Sequence, residues 1–374
     1  MPAAVTLPTE PQIQRRLTQM LAADSSQTGD NASTDRLMLM LTRSCELRCS
    51  YCFVALTEED GTIEHPATLE SASTGTPPRG TMTAATARRA VDLLMTSPKP
   101  RLSLQFFGGE PTRRWEVLAE TMAYARRHPQ RARRELALQL TTNGLGFDTT
   151  RLAALVEHDV TVQLSLDGAP TGNRFRRPHL LDQPAADAEW AAAVAALRAS
   201  GVRWFLNVTV PPAAAGELPN RVADAVALGA PSLQLNYATG MRFSSDQAQS
   251  YLRGLAGVLT DHARNPDLRL FNRYPGADPA PLCGDALCDV DGTLLQVGGI
   301  FHEKRFPALR AAYTHGHLDS ARSFEGHRAT LAELWHRTRA ALSPADATLF
   351  AQGMWLGAGS DLVARLVAAS GPAR

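Results

Sequence analysis

The chain has 374 residues with 44% hydrophobic and 20% charged content, enough to bury a substantial core as one large domain or a domain with an appendage. A formal net charge of +1 gives no global field for nucleic acid or an anionic membrane. The first twenty residues lack the apolar core of a secretory signal, no stretch approaches the ~20 apolar residues of a membrane helix, and five cysteines are an odd set for a disulfide framework. A soluble protein of the reducing cytoplasm is expected.

Residues 1–34 are polar after a short helical pattern around Ile13–Leu21 and are expected to form a mobile leader. Arg36–Thr42 is a nearly continuous apolar run, the mark of a strand buried on both faces. A cysteine-rich loop follows at once, and residues 57–80, without periodicity, read as a loop or flap. The pattern then alternates. Helices are predicted over Thr83–Thr96, Thr112–His128, Thr149–His158, Ala185–Ser200 and Glu217–Leu228. Strands are predicted over Leu102–Phe107, Leu136–Thr141, Val160–Leu166, Trp204–Val210 and Ser232–Tyr237. Strands alternating with helices predict an α/β fold: a partial (β/α)6 parallel barrel over 35–240, with a smaller α+β extension over 241–374.

The residues with chemistry sit just after these strands. Cys45, Cys49 and Cys52 are spaced by three and then two residues. Three thiolates on one short loop hold three corners of a cubane iron–sulfur cluster and leave one iron open. The alternative is a structural zinc site, which needs a fourth ligand, and His65 is the nearest candidate. Gly108-Gly109-Glu110-Pro111, Thr142-Asn143-Gly144 and Ser165-Leu166-Asp167-Gly168 each close a predicted strand. In parallel α/β sheets the carboxyl ends of the strands form the binding mouth. Good turns would explain the glycines, but not Glu110, Asp167 and three cysteines at one end.

The cysteine spacing, with Tyr51 before the third cysteine, resembles the radical S-adenosylmethionine (radical SAM) superfamily. The GGEP, TNG and SLDG segments match its further motifs in order, over roughly residues 36–240. The resemblance implies one [4Fe-4S] cluster whose open iron binds S-adenosylmethionine. Reduction then releases a 5′-deoxyadenosyl radical that abstracts hydrogen from a substrate. It also implies cofactor contacts. Glu110, beside Gly108 and Gly109, would accept from the methionine ammonium, against a helix-capping alternative. Ser165 or Asp167 would hold the ribose, against a plain Asp-Gly turn. Tyr51 would pack on the adenine, against a place in the core. Asn143 lies in the TNG turn, and Arg176 is the candidate for the cofactor carboxylate. The family segment's usual histidine is replaced here by Gly172. The Arg126–Arg134 arginine cluster reads as a solvated helix end.

The region from Leu282 to Gly299 resembles the first hairpin of a SPASM or twitch extension, with Asp291-Gly292 as its turn and a helix beginning near Thr330. Gly299 stands where a ligand cysteine is expected, and only Cys283 and Cys288 remain, too few thiolates for an auxiliary cubane. A degenerate extension that binds substrate is expected. Cys283 and Cys288 are either packing residues or donors of a hydrogen atom to a substrate radical. The resemblance implies a ribosomally made precursor peptide as substrate and a low-potential donor such as flavodoxin or ferredoxin as reductant. Cross-linking, epimerisation or another side-chain modification is the outcome. A small-molecule substrate such as a sugar or amine is the alternative.

Overall fold

The computed structural model describes residues 6–22, 34–54, 80–168, 174–178, 182–262, 268–273, 281–327 and 329–370. Six strands form the barrel. They are β1 (Thr34–Thr42), β3 (Arg101–Gly108), β4 (Glu135–Thr142), β5 (Val160–Ser165), β7 (Arg203–Val210) and β8 (Ser232–Tyr237), parallel and adjacent in chain order. These are the strands that the apolar runs predict. Between them, β2 (Leu47–Cys49) and β6 (Arg176–Pro178) pair as a separate two-stranded ribbon, which residue patterning did not signal.

The remaining strands extend the same sheet. β9 (Arg269–Leu270) follows β8. On the other side β10 (Ala286–Cys288) runs parallel to β1, with Leu37 opposite Ala286, and continues into β11 (Thr293–Gln296) and β12 (Thr314–His317). The hairpin predicted around Asp291-Gly292 is therefore present, but its first strand is hydrogen-bonded into the barrel sheet. Position 240 does not divide two sheets.

Helices form where predicted, and their ends have local causes. Thr83 caps Ala84–Met95 by accepting from the Thr86 N–H. The helix expected from Thr112 begins as a 3-10 turn at Pro111–Arg114 and becomes α-helical at Trp115–Arg127. Proline fits that first turn because its missing N–H would have no partner there. In the extension, Thr330 and Glu333 form a reciprocal capping box on Leu331–Ala341.

The leader expectation needs correction. Glu10–Ala22 is a helix whose Ile13, Leu17 and Met20 are buried at helical spacing. It packs against the long helix Pro344–Ser370, where Arg16 pairs with Asp361 at 2.6 Å. Apart from Gly80, the expected flap lies outside the described residues, as do His65 and Gly172. The arginine cluster is also more engaged than expected. Arg126 donates to the carbonyls of Leu136 and His158, and Arg134 to that of Lys99, tying loops at the amino ends of the strands. Among the described residues no helix is long and apolar enough to cross a membrane.

Candidate active site

The cysteine loop is held in place by backbone. After β1 ends at Thr42, Gly109 N–H donates to the Thr42 carbonyl at 2.7 Å and Glu110 N–H to that of Ser44 at 2.8 Å. A Cβ on Gly108 would overlap the Thr42 carbonyl oxygen, and one on Gly109 would overlap that of Ser44. The glycine pair thus lets the end of β3 lie against the cysteine loop itself.

None of the five cysteines is in a disulfide. Cys45, Cys49 and Cys52 are half-buried and line one cavity. Among the described residues no group of three or more His, Cys, Asp or Glu is arranged to hold a single metal ion. A cubane asks for less convergence, because each thiolate takes a different iron. In a tetrahedral zinc site sulfurs lie only about 3.8 Å apart, from a Zn–S bond of ~2.3 Å. The donor set fits a cluster in a second respect, since the sulfur of Cys45 already accepts hydrogen bonds. Leu47 N–H donates to it at 3.3 Å and the Asn143 carboxamide at 3.8 Å. Burial pushes the Cys45 thiol well above its ordinary value and Cys49 up to about 12, the latter against the pull of Arg176. Bound iron would reverse this, since a coordinating thiol is deprotonated outright.

Glu110 is fully buried and caps the 3-10 turn. Its Oε1 accepts from the Thr112 N–H at 3.0 Å, the Thr112 hydroxyl at 2.8 Å and the Thr142 hydroxyl at 2.8 Å; Oε2 accepts from the Asn143 N–H at 2.7 Å. The capping alternative is realised, and the carboxylate also ties the GGEP and TNG loops together. One lone pair on Oε2 remains for a further donor. Burial, with the neighbouring Glu46, pushes the carboxyl up to about 7. Asn143, besides reaching Cys45, donates to Glu46 Oε1 at 2.9 Å. Sequence reasoning missed Glu46; a carboxylate next to a cysteine carries no pattern of its own.

Asp167 corrects its expectation. It is fully buried and not among the residues that line the cavity; Ser165 is. Its Oδ1 accepts from the Thr209 N–H at 3.0 Å, and its Oδ2 accepts from the Tyr51 hydroxyl. Tyr51 in turn accepts from Arg176 Nη1 at 2.9 Å. Arg176 is 5% exposed, lines the cavity, and stands opposite Cys49 across the β2–β6 ribbon. Tyr51 is therefore oriented by a hydrogen-bonded chain through its hydroxyl. Asp167 anchors that chain from behind, its carboxylate turned to Thr209 and Tyr51 and not to the cavity.

The cavity measures about 500 Å³. Along the barrel strands, buried Leu104, Leu138, Leu164 and Val208 alternate with neutral polar residues that point into it. Gln105 donates to the Thr141 hydroxyl at 2.8 Å, Gln139 to Gln163 at 2.7 Å, and Asn236 to Asn207 at 2.5 Å. Ser103, Ser165, Thr209 and Gln234 complete this lining. The opposite wall comes from the cysteine loop, β3 and the extension. There Phe53, Phe107 and Phe301 pack with ring centroids 4.4–6.3 Å apart.

Cys283 lines this cavity beside Phe301, whereas Cys288 does not. Cys288 is fully buried, and its thiol donates to the Asp289 carbonyl at 3.6 Å. The candidate pair thus separates into one thiol at the cavity and one in the core. At Gly299, where a ligand cysteine was looked for, an added Cβ would lie 2.8 Å from Leu295 Cδ1 and 3.0 Å from Tyr313 Cβ. Side chains already fill that space.

Residues 39–217, just under half of the chain, match the family model of the radical SAM superfamily. No curated protein matches the chain. Among solved structures, native anSMEcpe with bound AdoMet is similar with a TM-score of 0.60 at 17% identity, covering 83% of this chain and 82% of that one. The same protein with AdoMet and the Cp18Cys peptide gives the same values. Streptococcus suis SuiB bound to S-adenosylmethionine aligns at a TM-score of 0.48 and 14% identity, over 70% of this chain and 60% of that one. At these identities the likeness bears on the fold, which is the mostly parallel partial barrel described above. With its motif loops gathered at one cavity and its sequence match over 39–217, the chain contains a radical SAM domain, the domain of a superfamily whose enzymes work with a [4Fe-4S] cluster and S-adenosylmethionine.

Proposed function

We propose that this enzyme abstracts a hydrogen atom from a ribosomally made precursor peptide. The observation that carries the reading is a single cavity reached by the cysteine loop, the motif loops and the extension together. Cys45, Cys49 and Cys52 would hold one cluster. Bound there, S-adenosylmethionine supplies a 5′-deoxyadenosyl radical. Arg176 and Tyr51, held from behind by Asp167, present a cation and a ring to the cofactor. Ser165, Asn143 and the remaining lone pair of Glu110 offer hydrogen-bonding positions. The walls limit water around the reacting atoms. The extension, joined to β1 through β10, supplies Cys283 and Phe301 where the substrate would lie. A peptide accompanies AdoMet in two solved structures of anSMEcpe, and this extends the analogy to the substrate. A flavodoxin- or ferredoxin-type donor in the reducing cytoplasm fits the need for low-potential electrons and for free thiols.

The test is anaerobic. Reconstituted protein should bind about four irons per chain, and replacement of Cys45, Cys49 and Cys52 by Ala together should abolish this. With reductant, S-adenosylmethionine should yield 5′-deoxyadenosine. A co-expressed short peptide encoded beside the gene should show by mass spectrometry a mass change or, for an epimer made in deuterated water, the gain of one deuterium. Stimulation of cleavage by a sugar or amine, with every candidate peptide unmodified, would replace the peptide reading with the small-molecule one.

A further inference from the structure

The lumen of this barrel has an unusual chemistry. Closed parallel barrels fill their interior with layers of Val, Ile and Leu. Here, on β3, β4, β5, β7 and β8, most cavity-lining side chains are carboxamides and hydroxyls, while Leu104, Leu138, Leu164 and Val208 are buried away from it. The register arranges them as rungs: Gln105 lies opposite Gln139, and Thr141 opposite Gln163. Further round, Ser165 lies opposite Asn207, and Thr209 opposite Asn236.

This ladder has hydrogen-bonding capacity to spare. Each carboxamide carries two N–H donors and two acceptor lone pairs. The bonds between Gln139 and Gln163 and between Asn236 and Asn207 use only part of that. Among the described residues the side chains of Gln234 and Thr209, both facing the cavity, have no hydrogen-bond partner.

Among the described residues, the charges that reach the cavity are already engaged. Arg36 pairs with Asp285 at 3.8 Å, Arg176 donates to Tyr51 beside Asp167, and Glu110 is enclosed by its donors. Facing the ladder is the wall of Phe53, Phe107 and Phe301, next to Cys283. An ionised group entering between these surfaces would lose hydration without gaining a counter-charge. A peptide backbone is itself a neutral amide and complements the ladder as donor and acceptor, while an apolar side chain suits the phenylalanine wall.

We infer that the cavity selects an uncharged substrate segment, its amides held by the ladder on β3–β8 and its apolar side chain set against Phe53, Phe107 and Phe301 beside Cys283. The inference rests on the peptide reading and names the part of a peptide that enters.

Binding to the cluster-reconstituted protein with S-adenosylmethionine tests it. The probes are N-acetyl amino-acid amides of Phe, Leu, Asp and Lys, together with neutral N-acetylglucosamine and cationic glucosamine. The Phe and Leu amides should bind about tenfold or more tightly than the Asp and Lys amides, the cost of an unpaired charge. Phe301→Ala should weaken the Phe and Leu amides and leave the Asp and Lys amides as weak as before. Gln234→Glu should weaken the neutral probes and strengthen the Lys amide, a reversal that a merely structural role would not produce. Charged probes that bind as well as neutral ones overturn the inference, as does failure of every probe to bind. Binding of N-acetylglucosamine but not glucosamine, with all amino-acid amides silent, upholds the exclusion of charge. That result would overturn the peptide reading alone.

Discussion

Cys283 and Cys288 are separated by one short stretch of chain, yet their surroundings give them different chemistry. A carbon radical at a peptide α-position becomes an epimer if a thiol returns a hydrogen atom to it. The S–H bond breaks, the C–H bond forms, and one electron and one proton from the reductant restore the thiol. Only Cys283 faces the cavity. Cys283→Ala should therefore still form 5′-deoxyadenosine but lose an epimerised product, and wild-type product made in deuterated water should carry deuterium at that carbon. Cys288→Ala, a truncation in the core, should lower stability and leave the product intact. Full product from Cys283→Ala without solvent deuterium would make Cys283 a lining residue and favour a cross-link. At this scale the sequence was informative about residue type and weaker about direction. Cys45, Cys49, Cys52 and Ser165 face the cavity as their spacing after strands implies, whereas Asp167 turns away because the Thr209 N–H and the Tyr51 hydroxyl hold it from behind. Those partners are over forty residues distant and leave no local trace.

Elements were legible where the pattern was local. Buried parallel strands show as apolar runs, so β1, β3, β4, β5, β7 and β8 could be placed from sequence, while the β2–β6 ribbon has too few residues to show a period. The parallel pairing of β10 with β1 joins positions some 250 apart and has no sequence signature at all. The glycine pair gains a sharper meaning from its neighbours. Gly109→Ala would force its Cβ into the Ser44 carbonyl, and backbone cannot step aside cheaply. The cysteine loop should shift, and iron content after reconstitution should fall while far-ultraviolet circular dichroism stays near wild type. Full iron loading in Gly109→Ala would show that the loop tolerates displacement. The extension carries a pH dependence of its own. His302 is fully enclosed, its Nε2 donates to the Pro281 carbonyl at 2.9 Å, and its buried Nδ1 has no partner. Burial pushes its pKa down from 6.5 to about 4. Between those values the unfolded chain takes up a proton that the folded chain refuses. Stability should therefore fall as pH drops through that window, by about 1.4 kcal/mol per pH unit at most, and this group should add no slope above neutrality. Denaturant unfolding of His302→Phe should lose that portion of the slope. An identical acid profile in the variant would rule out His302 as its source.

At the scale of the whole molecule, the extension and the cysteine loop are clasped by ions. Arg43, immediately before the loop, pairs with Asp289 at 2.7 Å and with Glu303 at 3.0 Å. Arg310 closes the ring by pairing with Asp289 at 2.6 Å and with Glu303 at 3.4 Å. Asp289 directly follows β10 and is 1% exposed, so the segment that joins the extension to β1 also supplies the anion that steadies the loop. None of this was readable from sequence, because an arginine near position 43 and an aspartate near 289 look like ordinary surface charges until the sheet brings them together. Asp289→Asn keeps the size and one acceptor but leaves two guanidinium groups facing a neutral amide. Breaking one side of a buried pair costs about 3 kcal/mol or more, so the variant should unfold at lower denaturant. The cysteine loop gives the second readout. If the clasp positions it, Asp289→Asn should also bind less iron under conditions in which the wild type fills, and Asp289→Glu should recover part of both losses. Reduced stability with full iron loading would mean that the clasp secures the extension alone. Unchanged stability and loading together would show that Glu303 suffices to hold both arginines and that Asp289 is dispensable to the clasp.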